Sequence, residues 1–293
     1  MGDQRKRILV TGASGFLGSR ILPFYRDRYD VHAPSHEEME ITDRESVERA
    51  FYRIRPDYVI HCAAVSDVGA CEKEPERSWR INVDGSRNMA GIAAGYGAKC
   101  LIASSDQVYF GSRGEAPHRE EEKLQPQNVY GREKRRAEEE CLSVNPDCVL
   151  LRLSWMYDVL CIREREHGDF FRALMKAIEA HVPLKYPVHD RRGITDVNEV
   201  VINLEKAFSL EGGIYNFGSP NDRNTYETVL ELFKALEWDT GKIVKNEKDF
   251  AEEPRNLCMD LGKLQGHGIF FRPTVQALRE NGRHMAVRLG LAG

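Results

Sequence analysis

The sequence predicts an α/β fold in which a doubly wound parallel sheet is followed by a small, partly interleaved C-terminal lobe. Three features predict it. Through the first half, short β-branched apolar runs alternate with longer amphipathic stretches, as in βαβ units. A glycine-punctuated turn follows the first apolar run directly. Beyond about residue 155 the alternation loosens, so a second, less regular lobe is expected there.

In chain order, Ile8–Val10 predicts the first strand and 16–25 the helix after it. A strand at 29–33, a helix at 43–54 and a fully apolar strand at 58–62 come next. The spacing then predicts one long helix over 75–96, a strand at 98–105, a charged helix over 128–144 and a strand at 148–153. A charged loop is expected at 163–168, a helix at 170–180 and a loop at 190–197. The sheet domain therefore spans 1–155, with sheet elements returning from about 187–218, and 156–293 forms the smaller lobe.

Bulk properties restrict the function. The chain has 293 residues and a formal charge of -4, with only the short Arg5, Lys6, Arg7 run as a basic block. Nucleic acid is thus not an expected partner. No apolar run is long enough to span a membrane, and the first strand starts too early for a signal peptide. The seven cysteines lack the short paired spacings of a zinc or redox motif and read as reduced packing thiols. No metal site is expected, and the cytoplasm is the expected compartment.

The stretch ILVTGASGFLG at 8–18 carries chemistry. Gly12 can take the tight turn, Gly15 lets the backbone approach a diphosphate, and Gly18 allows close helix packing. The following helix N-terminus faces the anion, so a Rossmann-type dinucleotide site is predicted. The acidic residue that would bind a ribose diol is not placed clearly: the second strand runs into Ser35 and His36, with Glu37 and Glu38 only afterwards. Ser35 and His36 could take a 2′-phosphate, which favours NADP(H) over NAD(H); the bland reading is an exposed loop.

Tyr130 and Lys134 are four residues apart, hence on one helix face. A phenol titrates near 10, too high for ready proton exchange at neutral pH, and a neighbouring cation lowers that value. Ser105 ends the preceding strand and can donate a hydrogen bond to the same substrate carbonyl. Taken alone the Tyr–Lys pair would read as a surface pair. The chain order of glycine turn, Ser-ended strand and Tyr–Lys helix puts all three at the carboxyl edge of one sheet.

These segments, with HCAA at 61–64, INVDGSRN at 81–88, SSDQVY at 104–109 and YGREK at 130–134, resemble the extended short-chain dehydrogenase/reductase superfamily. PQNVYGREKRRAEE, LRLSWMY at 151–157 and RNLCMDLGKLQGHGI at 255–269 are similar to its dTDP-4-dehydrorhamnose reductase-like branch. The resemblance implies a nicotinamide-dependent oxidoreductase that reduces a keto group on a nucleotide-activated sugar. It implies catalytic roles for Ser105, Tyr130 and Lys134, and cofactor contacts from Gly12, Ser14, Gly15, Phe16, Leu17 and Gly18. Cys62, Ala63 and Ala64 would line the adenosine side and Asn82 would brace the strand edge. Ser66, Asp106, Trp155 and Arg192 would meet substrate, with Arg191 beside them. Trp155 reads equally as a core aromatic, Asn82 as a satisfier of backbone groups, and 62–64 as a plain strand end. The 190–197 segment lacks the branch's proline, and GFLG is the epimerase form of the turn. An NAD-retaining epimerase or dehydratase and a non-catalytic dinucleotide-binding regulatory subunit therefore stay open, as does a homodimer.

Overall fold

A computed structural model describes residues 5–112, 117–159, 170, 174, 180 and 182–288. Its centre is a six-stranded parallel sheet of order β10-β5-β4-β3-β1-β2. The strands are β1 (Arg7–Thr11), β2 (Asp30–His32), β3 (Tyr58–His61), β4 (Lys99–Ser105), β5 (Val149–Leu153) and β10 (Gly213–Phe217). Because β2 and β3 flank β1 on opposite sides, the winding direction reverses beside β1, and the carboxyl edge there is where such sheets accept ligands.

The intervening helices are α1 (Gly18–Tyr25), α2 (Arg44–Ile54), α3 (Val68–Lys73), α4 (Pro75–Trp79), α5 (Ser86–Tyr96) and α6 (Val129–Val144). Asp43 starts α2 by accepting the Glu45 amide, and the Asn128 side chain starts α6 by accepting the Gly131 amide. On one face of the sheet, Leu9, Val59, Cys100, Ile102 and Leu150 pack against Val47, Phe51 and Ile54 of α2 and Met89, Ile92 and Ala93 of α5. The expected 75–96 helix is present but interrupted by a π-helical turn, Arg80–Gly85. Its apolar spacing continues through the widened turn, so the sequence pattern does not reveal the change.

The chain divides into two compact units: Met1–Val108, Lys123–Arg152 and Val201–Tyr215 form the first, Tyr109–Glu122, Leu153–Val200 and Asn216–Gly293 the second. The sequence expectation differs in two places. The returning segment is 201–215 rather than 187–218, and the excursion 109–122 joins the second unit, where His118 donates its amide to the Cys258 carbonyl at 2.8 Å.

The second unit contains β6 (Trp155–Tyr157), β7 (Leu184–Pro187), β8 (Asp190–Arg192), β9 (Ile194–Asp196), β11 (Ile243–Asn246) and β12 (Arg255–Leu257). These pair in three two-stranded parallel ribbons, β7 with β11, β8 with β12 and β6 with β9. The loop expected at 190–197 is therefore corrected to β8 and β9 plus the start of helix α7 (Val197–Ala207). Three-residue strands with distant partners leave no local periodicity to read. Helices α8 (Thr225–Ala235), α9 (Gly262–Gly266) and α10 (Thr274–Arg288) follow. Tyr157, Phe170, Leu174, Ile194, Val229, Leu232, Phe233 and Leu278 form this unit's core. The loop expected at 163–168 lies outside the described residues, as does most of the 170–180 helix, of which Phe170 and Leu174 are seen as helical. Among the described residues no helix is long and apolar enough to cross a membrane.

Candidate active site

The turn after β1 accepts nothing larger than glycine at two positions. Gly12 has φ +66°, and a Cβ there would lie 2.7 Å from both the Ala63 nitrogen and the Cys62 carbonyl carbon. A Cβ on Gly18 would lie 2.2 Å from the Gly12 oxygen. The Gly15 amide donates to the Gly12 carbonyl at 2.9 Å, closing the turn, and Ser14 and Gly15 are exposed. This cradle of exposed backbone at the start of α1 fits a dinucleotide diphosphate. The Leu17 side chain is buried and the Phe16 ring carries the Arg20 guanidinium at 4.4 Å, so backbone is what these two residues can offer a ligand.

The 62–64 segment is fixed against this turn from below. The Thr11 hydroxyl accepts the Ala63 amide at 3.2 Å and lies 2.7 Å from His61 Nδ1. The other His61 nitrogen meets Ser86 Oγ at 3.1 Å. Burial lowers the His61 pKa to about 3 and raises Cys62 to about 12, so both groups are neutral. Ser35 and His36 sit after β2 among carboxylates: Glu38 accepts the Ser35 amide at 2.8 Å, Glu40 lies 2.9 Å from His36 Nδ1, and Glu37 bonds the Ser35 hydroxyl.

At the end of β4, Ser105 enters a 3₁₀ turn, Asp106–Tyr109. Its hydroxyl donates to Asp106 Oδ1 at 3.3 Å and accepts the Gln107 amide at 3.2 Å. Helix α6 abuts this turn because residue 131 is glycine; a Cβ there would lie 2.4 Å from the Gln107 oxygen. Asn128 reinforces the approach by donating to Gln107 Oε1 at 2.9 Å. Together they set the Tyr130 phenol within hydrogen-bond reach of Ser105. Lys134, one turn on, donates to the Ala103 carbonyl at 2.8 Å and lies 5.7 Å from the Tyr130 ring centroid. Sequence reasoning missed Gly131 and Asn128, although Asn just ahead of a helical run is a readable N-cap signal.

The electrostatics correct one expectation. Burial pushes the Tyr130 phenol up, against the lowering effect of the Ser105 hydrogen bond, and Asp106, Cys71 and Glu133 push it further the same way. Burial also pulls Lys134 down. Desolvation thus outweighs the expected effect of the Lys134 cation, and the resting phenol is neutral: an acid ready to donate.

Asn82 lies on the π-turn and bonds the backbone of Val65. Its Oδ1 accepts the Val65 amide at 2.8 Å, and its Nδ2 donates to the Val65 carbonyl at 3.0 Å and to Glu133 Oε2 at 2.7 Å. Ser66, the next residue, is exposed. The first unit therefore brings together the glycine turn, 62–66, Asn82, Ser105, Asp106, Tyr130 and Lys134. In the second unit, Trp155 and Arg192 meet, the guanidinium lying 4.9 Å from the indole centroid, while Arg191 is exposed. Trp155 also packs edge-on against Phe170 at 5.5 Å, so it is both a core aromatic and half of a cation–π pair.

This chain is similar to the spore coat polysaccharide biosynthesis protein SpsK of Bacillus subtilis, with 30% identity over 94% of this chain and 96% of that protein. It is 36% identical to a dTDP-4-dehydrorhamnose reductase of Streptomyces griseus over 82% of this chain and 79% of that protein. In structure it resembles the dTDP-4-dehydrorhamnose reductase of Bacillus anthracis solved in complex with NADP, at TM-score 0.85 and 22% identity, covering 97% and 100% of the two chains. Residues 6–283 match the family described as the RmlD substrate binding domain, and the chain belongs to that family.

Proposed function

We propose that this protein is an NAD(P)H-dependent reductase of a keto group on a nucleotide-activated sugar, of the dTDP-4-dehydrorhamnose reductase type. The observation that carries the reading is the buried Ser105, Tyr130, Lys134 group beside a glycine cradle that fits a dinucleotide diphosphate. NADP(H) is the favoured cofactor, since the similar reductase of Bacillus anthracis was solved with NADP. Gly12, Ser14, Gly15, Phe16, Leu17 and Gly18 would hold its diphosphate, with Ser35 and His36 toward the adenosine ribose and Cys62, Ala63 and Ala64 along the adenosine.

When bound, NADPH supplies the hydride. Ser105 hydrogen-bonds the substrate carbonyl oxygen and polarises it, and neutral Tyr130 gives that oxygen its proton. Lys134 carries a positive charge next to the phenolate that results and favours its formation. Ser66, Asp106, Trp155 and Arg192 are the proposed substrate contacts, with the Arg192 guanidinium suited to a diphosphate. The reading includes a cytoplasmic location, supported by six free cysteines among the described residues, and a homodimer, which analytical ultracentrifugation tests.

The deciding experiment follows NADPH and NADH oxidation against a panel of 4-keto nucleotide sugars. Turnover of at least one member is expected, with NADPH preferred. Cofactor binding without consumption of any sugar would replace this reading with that of a dinucleotide-binding regulatory protein.

A further inference from the structure

One buried carboxylate beside the proposed proton donor has no assigned task. Glu133 precedes Lys134 on α6 and is 1% exposed. Its partners are neutral: the Ser78 hydroxyl donates to one oxygen at 2.5 Å and Asn82 Nδ2 to the other at 2.7 Å, and no described Lys or Arg pairs with it. Glu138, one turn further on, is equally buried but is held by Arg152 through two bonds of 2.9 and 2.7 Å. A carboxylate removed from water with no salt-bridged cation, only the charge of neighbouring Lys134 acting on it, is costly unless its hydrogen bonds are well made, so its presence here calls for a function.

The geometry supplies one. The Asn82 amide makes two bonds to the backbone of Val65, one to Glu133 and a long one, 3.9 Å, to Cys71 Sγ. Without an acceptor at Glu133 the amide loses its short bond to α6, and the Val65 clamp is no longer tied to the Tyr130–Lys134 helix. Val65 closes the 62–66 segment, whose first residues pack on the Gly12 turn. A carboxylate on the Tyr130–Lys134 helix therefore reaches across to the strand edge that supports the dinucleotide cradle.

We propose that Glu133 is a positioning residue that locks Asn82, and through it the 62–66 segment, in register with Tyr130 and Lys134. The inference rests on the reductase reading for its effect on turnover, but not for its effect on the segment. Glutamine can replace it sterically, accepting from Asn82 and donating to Ser78 Oγ, which also donates to the Pro75 carbonyl at 3.2 Å.

The test compares Glu133→Ala, Glu133→Gln and Ser78→Ala in the full chain, by amide hydrogen exchange over 62–67 and by steady-state kinetics with NADPH and the accepted keto sugar. Glu133→Ala is expected to speed exchange of the Val65 amide and to lower kcat about tenfold or more, since small misplacements of reacting groups are costly. Glu133→Gln should restore both readouts. A purely structural role would lower Tm and leave kcat of the folded variant unchanged. Where Glu133→Ala fails to fold, Ser78→Ala, which removes only one of the two donors, is expected to give the same changes at smaller size. Wild-type exchange and kcat in the folded alanine variant would overturn the proposal, as would a glutamine variant as impaired as alanine. Should the wild type turn over no sugar, the reductase reading fails while the exchange data still decide the role of Glu133.

Discussion

The carboxyl edge of the first unit and the ribbons of the second are held together by different physics. At the edge, order comes from backbone approaching backbone: Gly12 against Cys62 and Ala63, Gly18 against Gly12, Gly131 against Gln107. Two titrating groups there, His61 and Tyr130, are buried and kept neutral by desolvation. In the second unit, order comes from ions. Arg255 holds Asp190 through two bonds of 2.7 and 2.9 Å, with Thr225 adding a third at 2.9 Å. Arg272 gathers Glu199, Glu280 and Asp196. The contrast suggests that side chains at the edge can be changed with loss of chemistry and little loss of fold, whereas the ribbons fail in the opposite sense.

The sharpest way to break this contrast is Tyr130→Phe. General acid catalysis contributes roughly 10²–10⁴-fold, so kcat should fall by about that factor while cofactor affinity and Tm stay near wild type. A large drop in Tm would show that the phenol holds structure, and the two regions would no longer differ.

The converse is Asp190→Asn. Leaving the Arg255 cation without its carboxylate should cost about 3–5 kcal/mol of stability in denaturant titration, with dinucleotide binding by the residual folded protein unchanged. The same pair sets a pH dependence. Burial alone would push Asp190 up, but the Arg255 hydrogen bonds and the neighbouring Arg192 charge prevail and its pKa is lowered. Its contribution is thus complete above the ordinary carboxylate range and is lost as pH falls through the depressed folded value. Acid unfolding curves should show this limb in the wild type and a flatter one in Asp190→Asn.

Asn128→Ala sharpens the comparison at intermediate size. Removing the α6 cap and its bond to Gln107 should cost about 1–2 kcal/mol by thermal unfolding, and kcat should fall more than Tm alone predicts. The smallest expected effect is Asp43→Ala, a cap far from the chemistry: about 1 kcal/mol of stability and wild-type kinetics. A kinetic change there would mean that helix caps report on activity wherever they lie, which would remove the significance of Asn128.

The same contrast explains what could be read from the sequence. Close backbone approach demands glycine, and glycine at 12, 15 and 18 after an apolar run is visible without a structure. The Tyr130–Lys134 spacing is visible for the same local reason. Gly131 and Glu133 lie inside that motif, yet their importance depends on Gln107 and Asn82, far away in sequence, and escaped notice. The π-turn at Arg80–Gly85 was hidden because it preserves the helical apolar pattern. In the second unit little was legible: β8 and β9 were expected as loop because each has three residues and a partner many positions distant. The sign of the Tyr130 shift was also missed, since a cation is apparent in sequence and the degree of desolvation is not.

The sheet order has a consequence for synthesis. β10 is encoded about sixty residues after β5, yet it is the strand that covers it, and Tyr25 of α1 already bonds the Val201 carbonyl at 2.7 Å. On the ribosome the N-terminal half must therefore wait, with an open β5 edge, until residues 201–217 emerge. Such an interval exposes a sticky margin to other nascent chains, and a fragment ending near 155 should aggregate where the longer chain folds.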